Sequence, residues 1–284
     1  MSAEAHRFPA PAKLNLMLRV VGRRADGYHL LQTVFRFIDY GDELRIGVRQ
    51  DGVIRGVHEL PGVPAADDLT LRAAHLLKQA TGTPLGADIE LLKRLPLGAG
   101  LGGGSSDAAT VLVALNKLWN TGLSRERVQA LGLKLGADVP VFVFGESAFA
   151  EGIGEILTPI PLAPAWYVVL TPALSVATGP VFAHPDLKRN SKTIKIQAFS
   201  VGGLAKHAVN DLQPLVCRLY PDVARHLDWL KQHETALMTG SGAAVFASFD
   251  TEAVARRVLA QLPETMSGFV ARGLDRHPLR ELGY

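Results

Sequence analysis

The alternation of apolar and polar side chains changes period several times along the chain, and each change marks an element. Residues 14–21 are apolar and partly alternating, which predicts a strand; "GRRADG" (22–27) then reads as a turn. "YHLLQTVFRFIDY" (28–40) predicts a second strand, and "GDELRIGV" (41–48) and "DGVIRGV" (51–57) predict further strands separated by short turns. Asp67 or Asp68 is placed to cap a helix through "LTLRAAHLLKQATG", which Gly82 ends. "ADIELLKRL" (87–95) predicts a strand. After a glycine-rich loop, "SSDAATVLVALNKLW" (105–119) predicts a helix opened by Ser105, Ser106 and Asp107, with Leu112, Leu115 and Trp119 at helical spacing. Ser124 starts another helix, with Glu126 in its first turn, running to about Gly136.

From about residue 164 the pattern begins again. "WYVVLTPA" predicts a buried strand, and helices follow, including "NDLQPLVCRLY" and "PDVARHLDWLKQHE". "ALMTGSGAAVFASF" reads as two strands around a glycine turn, "TEAVARRVLAQL" as an amphipathic helix and "GFVARGL" as a last strand. Strand, helix, strand, strand, helix, strand is the ferredoxin-like order. The proline-rich stretch between Pro159 and Pro164 marks the expected boundary of two domains, 1–160 and 161–284, in an α+β chain.

Composition narrows the function classes. With 284 residues, 48% of them hydrophobic, the chain can bury two ordinary cores. The net charge is only +3, and the nearest approach to a basic cluster, Lys188, Arg189, Lys192 and Lys195, reads as a solvated loop, so no nucleic-acid partner is expected. Cys217 is the one cysteine, which excludes a disulfide framework and a cysteine-based zinc site. The nine histidines include no pair at metal-ligand helical spacing. No signal-peptide core and no apolar run of roughly 18 residues is present, so no membrane partner is expected. The expected setting is the cytoplasm, a bacterial one because no transit peptide precedes the first strand.

The loop "PLGAGLGGGSSDAA" (96–109) carries the chemistry. Glycine exposes backbone N–H groups and permits positive φ, and a helix N-terminus adds aligned donors that favour phosphate. One or two glycines would suffice for a tight turn with close helix packing; five within seven residues, followed by serines and a helix, point to a phosphate cradle. No lysine follows the last glycine, as a Walker loop requires. The next element is a helix rather than a parallel strand bearing an acid, which disfavours a dinucleotide fold. A protein-kinase glycine loop would lie between strands, and no H-R-D segment is present.

This loop resembles the phosphate loop of the GHMP small-molecule kinases. "PAKLNL", "RADGYHLLQTVF", "LGADVPVFVFG" and "MTGSGAAVF" are similar to further motifs of that family, in its order and across nearly the whole chain. The resemblance implies a two-domain α+β GHMP kinase fold, with a ribosomal-protein-like, ATP-binding N-terminal domain and a ferredoxin-like C-terminal domain. It implies transfer of the γ-phosphoryl group of ATP, accompanied by Mg²⁺, to a hydroxyl of a small molecule. The most similar branch acts on a diphosphocytidyl methylerythritol in the non-mevalonate isoprenoid pathway.

Site residues follow by the same resemblance. ATP would meet Pro96, Leu97, Gly98, Ala99, Gly100, Leu101, Gly102, Gly103, Gly104, Ser105 and Ser106. Lys13, on residues alone a solvated lysine at a strand start, would stabilise charge on the transferring phosphoryl. Asp138, on residues alone an N-cap preceding Pro140, would be the base that takes the hydroxyl proton. Asn15, Tyr28, His29, Thr178 and Phe182 would contact the substrate: Tyr28 and Phe182 flank a cytosine and His29 hydrogen-bonds to it. On residues alone, Tyr28 and His29 are ordinary hairpin residues. The segment Thr239 to Gly242 would face the active site, with Ser241 where the family often has threonine. Asp68 stands where the family has asparagine and is not assigned to the site. No acidic cluster is placed to hold Mg²⁺, which phosphates, water and Ser106 would carry. Two alternatives remain: a GHMP kinase for homoserine, mevalonate or a sugar, against which "ADGYH" argues, and a non-catalytic nucleotide-binding module, against which the presence of both Lys13 and Asp138 argues.

Overall fold

The computed structural model describes residues 5–199 and 204–282. Its frame is a long antiparallel pair, β1 (His6–Arg23) and β2 (His29–Arg49). The two strands expected on either side of residue 41 are one continuous strand. Gly41 is not a turn: a Cβ built on it would lie 2.2 Å from the Ala10 carbonyl oxygen and 2.5 Å from the Pro11 Cα, so glycine lets β1 and β2 run past each other without a break. Register shifts fall between Pro11 and Lys13 and between Asn15 and Met17. Such bulges re-aim side chains and are frequent beside active sites.

β3 (Ile54–Gly56) pairs parallel with β4 (Gly86–Leu92), which pairs antiparallel with β2. Between them runs α1 (Leu69–Thr81), where Asp68 is the N-cap: its side chain accepts from the Thr70 N–H at 2.8 Å, while Gly82 closes the helix in the left-handed conformation. Next come α2 (Gly103–Leu118), α3 (Arg125–Leu133, capped by Ser124) and α4 (Val139–Phe144). The helices bury Leu77, Val111, Leu112, Leu115 and Phe142 against Phe37, Leu44 and Ile46 of β2. α2 begins two residues earlier than the serines suggest, with Gly102 at its N-cap in the left-handed region. The hairpin of β5 (Ala148–Glu151) and β6 (Ile156–Pro159) was not expected; its strands are too short to show a period.

The later half runs β7 (Trp166–Leu170), α5 (Thr178–Ala183), α6 (Leu204–His207), α7 (Gln213–Leu219), α8 (Pro221–Lys231), β8 (Ala236–Met238), β9 (Val245–Phe249), α9 (Glu252–Leu259) and β10 (Gly268–Leu274). Its strands lie in the order β10-β7-β9-β8, all antiparallel, which is the ferredoxin-like arrangement. α7, α8 and α9 bury Val216, Leu227, Leu230, Ala255 and Val258 against Val168, Leu170 and Val245. β10 also pairs with β2, through Gly273 with Ile38 and Leu274 with Phe37, so the sheet passes unbroken from one half to the other. This is the mixed α+β arrangement that the resemblance implies.

A buried ionic cluster turns the chain from β4 into the glycine loop. Asp42, on β2, accepts from the backbone N–H groups of Arg94 (2.6 Å) and Leu95 (2.8 Å), which ends β4 earlier than the apolar pattern predicts. The Lys93 ammonium bridges Asp42 (2.5 Å) and Asp107 (2.9 Å). Asp107 is therefore no helix cap but a buried partner of Lys93, and its Oδ1 is left without one. Burial, joined by the Asp42 charge and only partly offset by Lys93, pushes the Asp107 carboxyl up to about 8. Burial opposes the Lys93 charge, but Asp107 and Asp42 outweigh it and hold that pKa above its ordinary value.

Two outcomes test this frame. Gly41→Ala should destabilise the protein by roughly 1–3 kcal/mol or more, the scale of overpacking, because the obstructing atoms are backbone; urea unfolding measures it. Asp107 binds its proton more tightly folded than unfolded, so between the ordinary carboxylate range and about 8 the folded state holds more protons and stability falls as pH rises. Asp107→Asn removes that slope. Its stability relative to the parent should therefore increase by at least about 1.4 kcal/mol, one pKa unit, on going from pH ~5 to ~9 in the same assay.

Candidate active site

A cleft of about 850 Å³ opens between the glycine loop, the β1–β2 turn, α4, α5 and the β8–β9 turn. That size suits a small-molecule site. Pro96 to Ser105 line one end with Leu69 and Lys93; Tyr28, His29 and Phe182 line the other; Lys13, Asn15, Thr33 and Asp138 lie on its floor.

The loop turns its carbonyls towards the protein. Gly98 O accepts from Val176 N (3.2 Å), Ala99 O from Ala244 N (3.0 Å) and Leu101 O from Lys13 N (2.9 Å). Gly100 has a φ of 76°, and a Cβ on it would lie 2.3 Å from Thr239 O, so here the glycine is demanded by packing against the β8–β9 turn. Gly102, with a φ of 73°, caps α2. The first-turn N–H groups of a helix have no intrahelical acceptor, and those of α2 begin at Gly103, Gly104 and Ser105 on the cleft wall. Ser106 does not line the cleft. It is fully buried, its hydroxyl donates to Pro11 O at 2.7 Å and its N–H to Gly102 O at 2.8 Å, so neither faces the space where phosphates or Mg²⁺ would lie.

On the floor the structure joins Lys13, Asn15 and Asp138. Lys13 is 2% exposed, and its ammonium donates to Asn15 Oδ1 (2.6 Å) and Gly100 O (3.0 Å) and pairs with Asp138 Oδ2 (3.2 Å). Asp138 occupies the N-cap position of α4 but makes no side-chain cap, so its carboxylate is committed to Lys13 and the cleft. Asn15 Nδ2 donates to Thr33 Oγ1 at 2.8 Å, which fixes the amide with its oxygen towards Lys13. The Thr239 hydroxyl accepts from Asn15 N at 3.0 Å, tying the β8–β9 turn to the floor. Asn210 holds that turn by donating to Met238 O (2.7 Å) and Gly240 O (2.8 Å). The sequence points to the 239–242 turn as a whole but not to the Asn15–Thr239 contact, which joins residues more than 200 positions apart, nor to Asn210.

At the far end, Tyr28 lies just before β2 starts, with its N–H bonded to Asp26 Oδ1 at 3.2 Å, and is 59% exposed. This irregular backbone lets neighbouring Tyr28 and His29 both line the cleft, which a regular strand would forbid. The His29 and Phe182 rings lie 5.1 Å apart. Burial, then the charges of Arg189 and Arg23, lower the His29 pKa. Thr178 shares a 2.8 Å hydrogen bond with Ser241, and both face the cleft. Arg189, expected in a solvated loop, instead reaches His29 Nε2 at 2.9 Å. Asp68 is committed to its cap and does not line the cleft. Among the described residues, no group of three or more His, Cys, Asp or Glu could hold a metal ion, and no helix is long and apolar enough to cross a membrane.

Comparison with known proteins places this geometry. Residues 68–146 match the GHMP kinases N terminal domain and residues 194–268 the GHMP kinases C terminal domain. The chain is 61% identical over 272 residues to a 4-diphosphocytidyl-2-C-methyl-D-erythritol kinase of Thiobacillus denitrificans, covering 96% of each chain. It is 59% identical over 276 residues to one of Nitrosospira multiformis, covering 96% of this chain and 92% of that one. A crystal structure of 4-(cytidine 5'-diphospho)-2C-methyl-D-erythritol kinase superposes with a TM-score of 0.81 at 35% identity, covering 94% of this chain and 99% of the other. A mevalonate kinase structure, at 16% identity and a TM-score of 0.70, shares the fold. The chain therefore belongs to the GHMP kinases, a family of ATP-dependent small-molecule kinases, and within it to the branch of the 4-diphosphocytidyl-2-C-methyl-D-erythritol kinases.

Proposed function

We propose that this kinase phosphorylates the 2-hydroxyl of 4-diphosphocytidyl-2-C-methyl-D-erythritol, a step in non-mevalonate isoprenoid precursor formation, in a bacterial cytoplasm. The observation that carries the reading is the placement of the Lys13–Asp138 pair between a helix-borne anion cradle and an aromatic end formed by Tyr28, His29 and Phe182. The division of labour follows: 1–160 supplies the ATP loop and 161–284 closes the cleft over it. No nucleic acid or membrane takes part.

The residues fit a triphosphate. The N–H groups at the start of α2 and the Lys13 ammonium face the same space, and charge-assisted hydrogen bonds from such donors are the strong ones. ATP supplies the phosphoryl group. Asp138 accepts the proton of the 2-hydroxyl as that oxygen bonds to the γ-phosphorus and the bond to the bridging oxygen breaks. Lys13 holds the Asp138 carboxylate in place and offers positive charge to the phosphoryl oxygens. Asn15 and Gly100 aim Lys13. Among the described residues the donor set does not fit a metal caged by protein, so a Mg²⁺ ion would be held by the phosphates of ATP, whose charge it would neutralise. Tyr28 offers an exposed ring face for a base, with Phe182 and His29 beside it.

Asp138→Asn should lower kcat by roughly 10²–10⁴-fold, the range for loss of a general base, while calorimetric titration shows both substrates still bound. A folded variant with parental kcat would return Asp138 to a capping role. Tyr28→Ala should raise the KM of the diphosphocytidyl substrate by roughly ten- to a hundredfold, matching about 1–3 kcal/mol of stacking, and leave the KM of ATP unchanged. Tyr28→Phe should be mild. Methylerythritol phosphate without the cytidine should be a very poor substrate; equal efficiency would overturn the substrate assignment.

A further inference from the structure

Arg189 belongs to the basic segment that the sequence places in solvent, yet its guanidinium turns inward and every contact it makes has a defined partner. Nη2 donates to the carbonyls of Phe182 (2.9 Å) and His184 (2.7 Å). Nη1 donates to those of Leu187 (3.0 Å) and Pro185 (3.4 Å). Nε donates to His29 Nε2 at 2.9 Å. A guanidinium is a donor only. The His29 nitrogen it meets must therefore be an acceptor, and the neutral ring carries its proton on Nδ1. Burial and the neighbouring cations favour that neutral ring. Among the described residues, Nδ1 has no hydrogen-bond partner in the chain, and His29 lines the cleft.

We propose that Arg189 is a positioning residue for base recognition: it locks His29 as the Nδ1–H tautomer, so that this side chain offers the substrate's base a fixed hydrogen-bond donor and no acceptor. The proposal rests on the reading of this end of the cleft as a cytidine site. The donor matches an acceptor on the edge of the base, such as N3 of cytosine. Uracil carries an N–H at that position and would set donor against donor. One arginine thus couples the tautomer of His29 to the backbone on which Phe182 stands, so the donor and the flanking ring are placed together.

Long-range proton–nitrogen NMR of the free parental enzyme reads which His29 nitrogen is protonated and needs neither variant nor substrate. The expected result is Nδ1–H; protonation on Nε2 overturns the proposal. In Arg189→Met, the tautomers should mix, and the KM of the diphosphocytidyl substrate should rise by about tenfold, the scale of a buried hydrogen bond, with kcat and the KM of ATP within about twofold. The preference for the cytidine compound over its uridine analogue should fall by at least about fivefold, about seven-tenths of that same tenfold step on the free-energy scale. A KM rise with the preference intact would mean that Arg189 only anchors its loop, and the recognition role falls. If the parental enzyme itself shows no cytidine preference, the substrate reading falls and the recognition role with it.

Discussion

The site is organised around a lysine ammonium that has almost no water. Burying a charge is costly unless it is paired and hydrogen-bonded. Lys13 is 2% exposed and resolves this with one acceptor for each of its three protons: a side-chain amide on its own strand, a carbonyl of the glycine loop and a carboxylate at the start of α4. The Phe35 ring of β2 lies 5.6 Å away on another side. Four separate stretches of chain are thus held to one point. Moving the amide, the loop carbonyl or the carboxylate leaves a buried donor unsatisfied, so the proposed catalytic constellation and local stability are one constraint.

That constraint needs a rigid support, and the shared sheet provides it. β2 runs for 21 residues, carries Thr33 and Phe35 under the floor, and pairs with β10 of the other half. The glycine loop is pressed against the β8–β9 turn closely enough that a methyl group at Gly100 would collide with the Thr239 carbonyl. The loop is therefore shaped from two directions, by the Asp42–Lys93–Asp107 cluster behind it and by the later half in front. Its carbonyls are consumed in these contacts, which leaves the N–H groups at the start of α2 as the polar surface facing the cleft.

The two ends of the cleft differ in chemistry in a way that separates two ligands. One end offers backbone donors, the positive end of a helix and the Lys13 ammonium. The other offers ring faces and a histidine whose charge is suppressed by burial and by two arginines. On the proposed reading, phosphates would lie at the first and an aromatic base at the second, with the Lys13–Asp138 pair between them.

The sequence by itself determined the element types, the ferredoxin-like order of the later half and the glycine loop opening a helix, because these depend on period, capping residues and local backbone freedom. Its motifs also pointed to Lys13, Asp138, Tyr28 and His29. Only the tertiary structure decided the rest. Gly41 reads as a turn locally, yet the approach of β1 makes it the middle of a strand. Ser106 and Asp107 read as helix-opening residues, yet packing on β1 and Lys93 buries them away from the cleft. Arg189 reads as solvated, because nothing in its neighbours signals the histidine 160 positions earlier that it reaches. Local patterns record what each segment can form; which side chain is dehydrated, and by whom it is then satisfied, is a property of segments brought together from far apart.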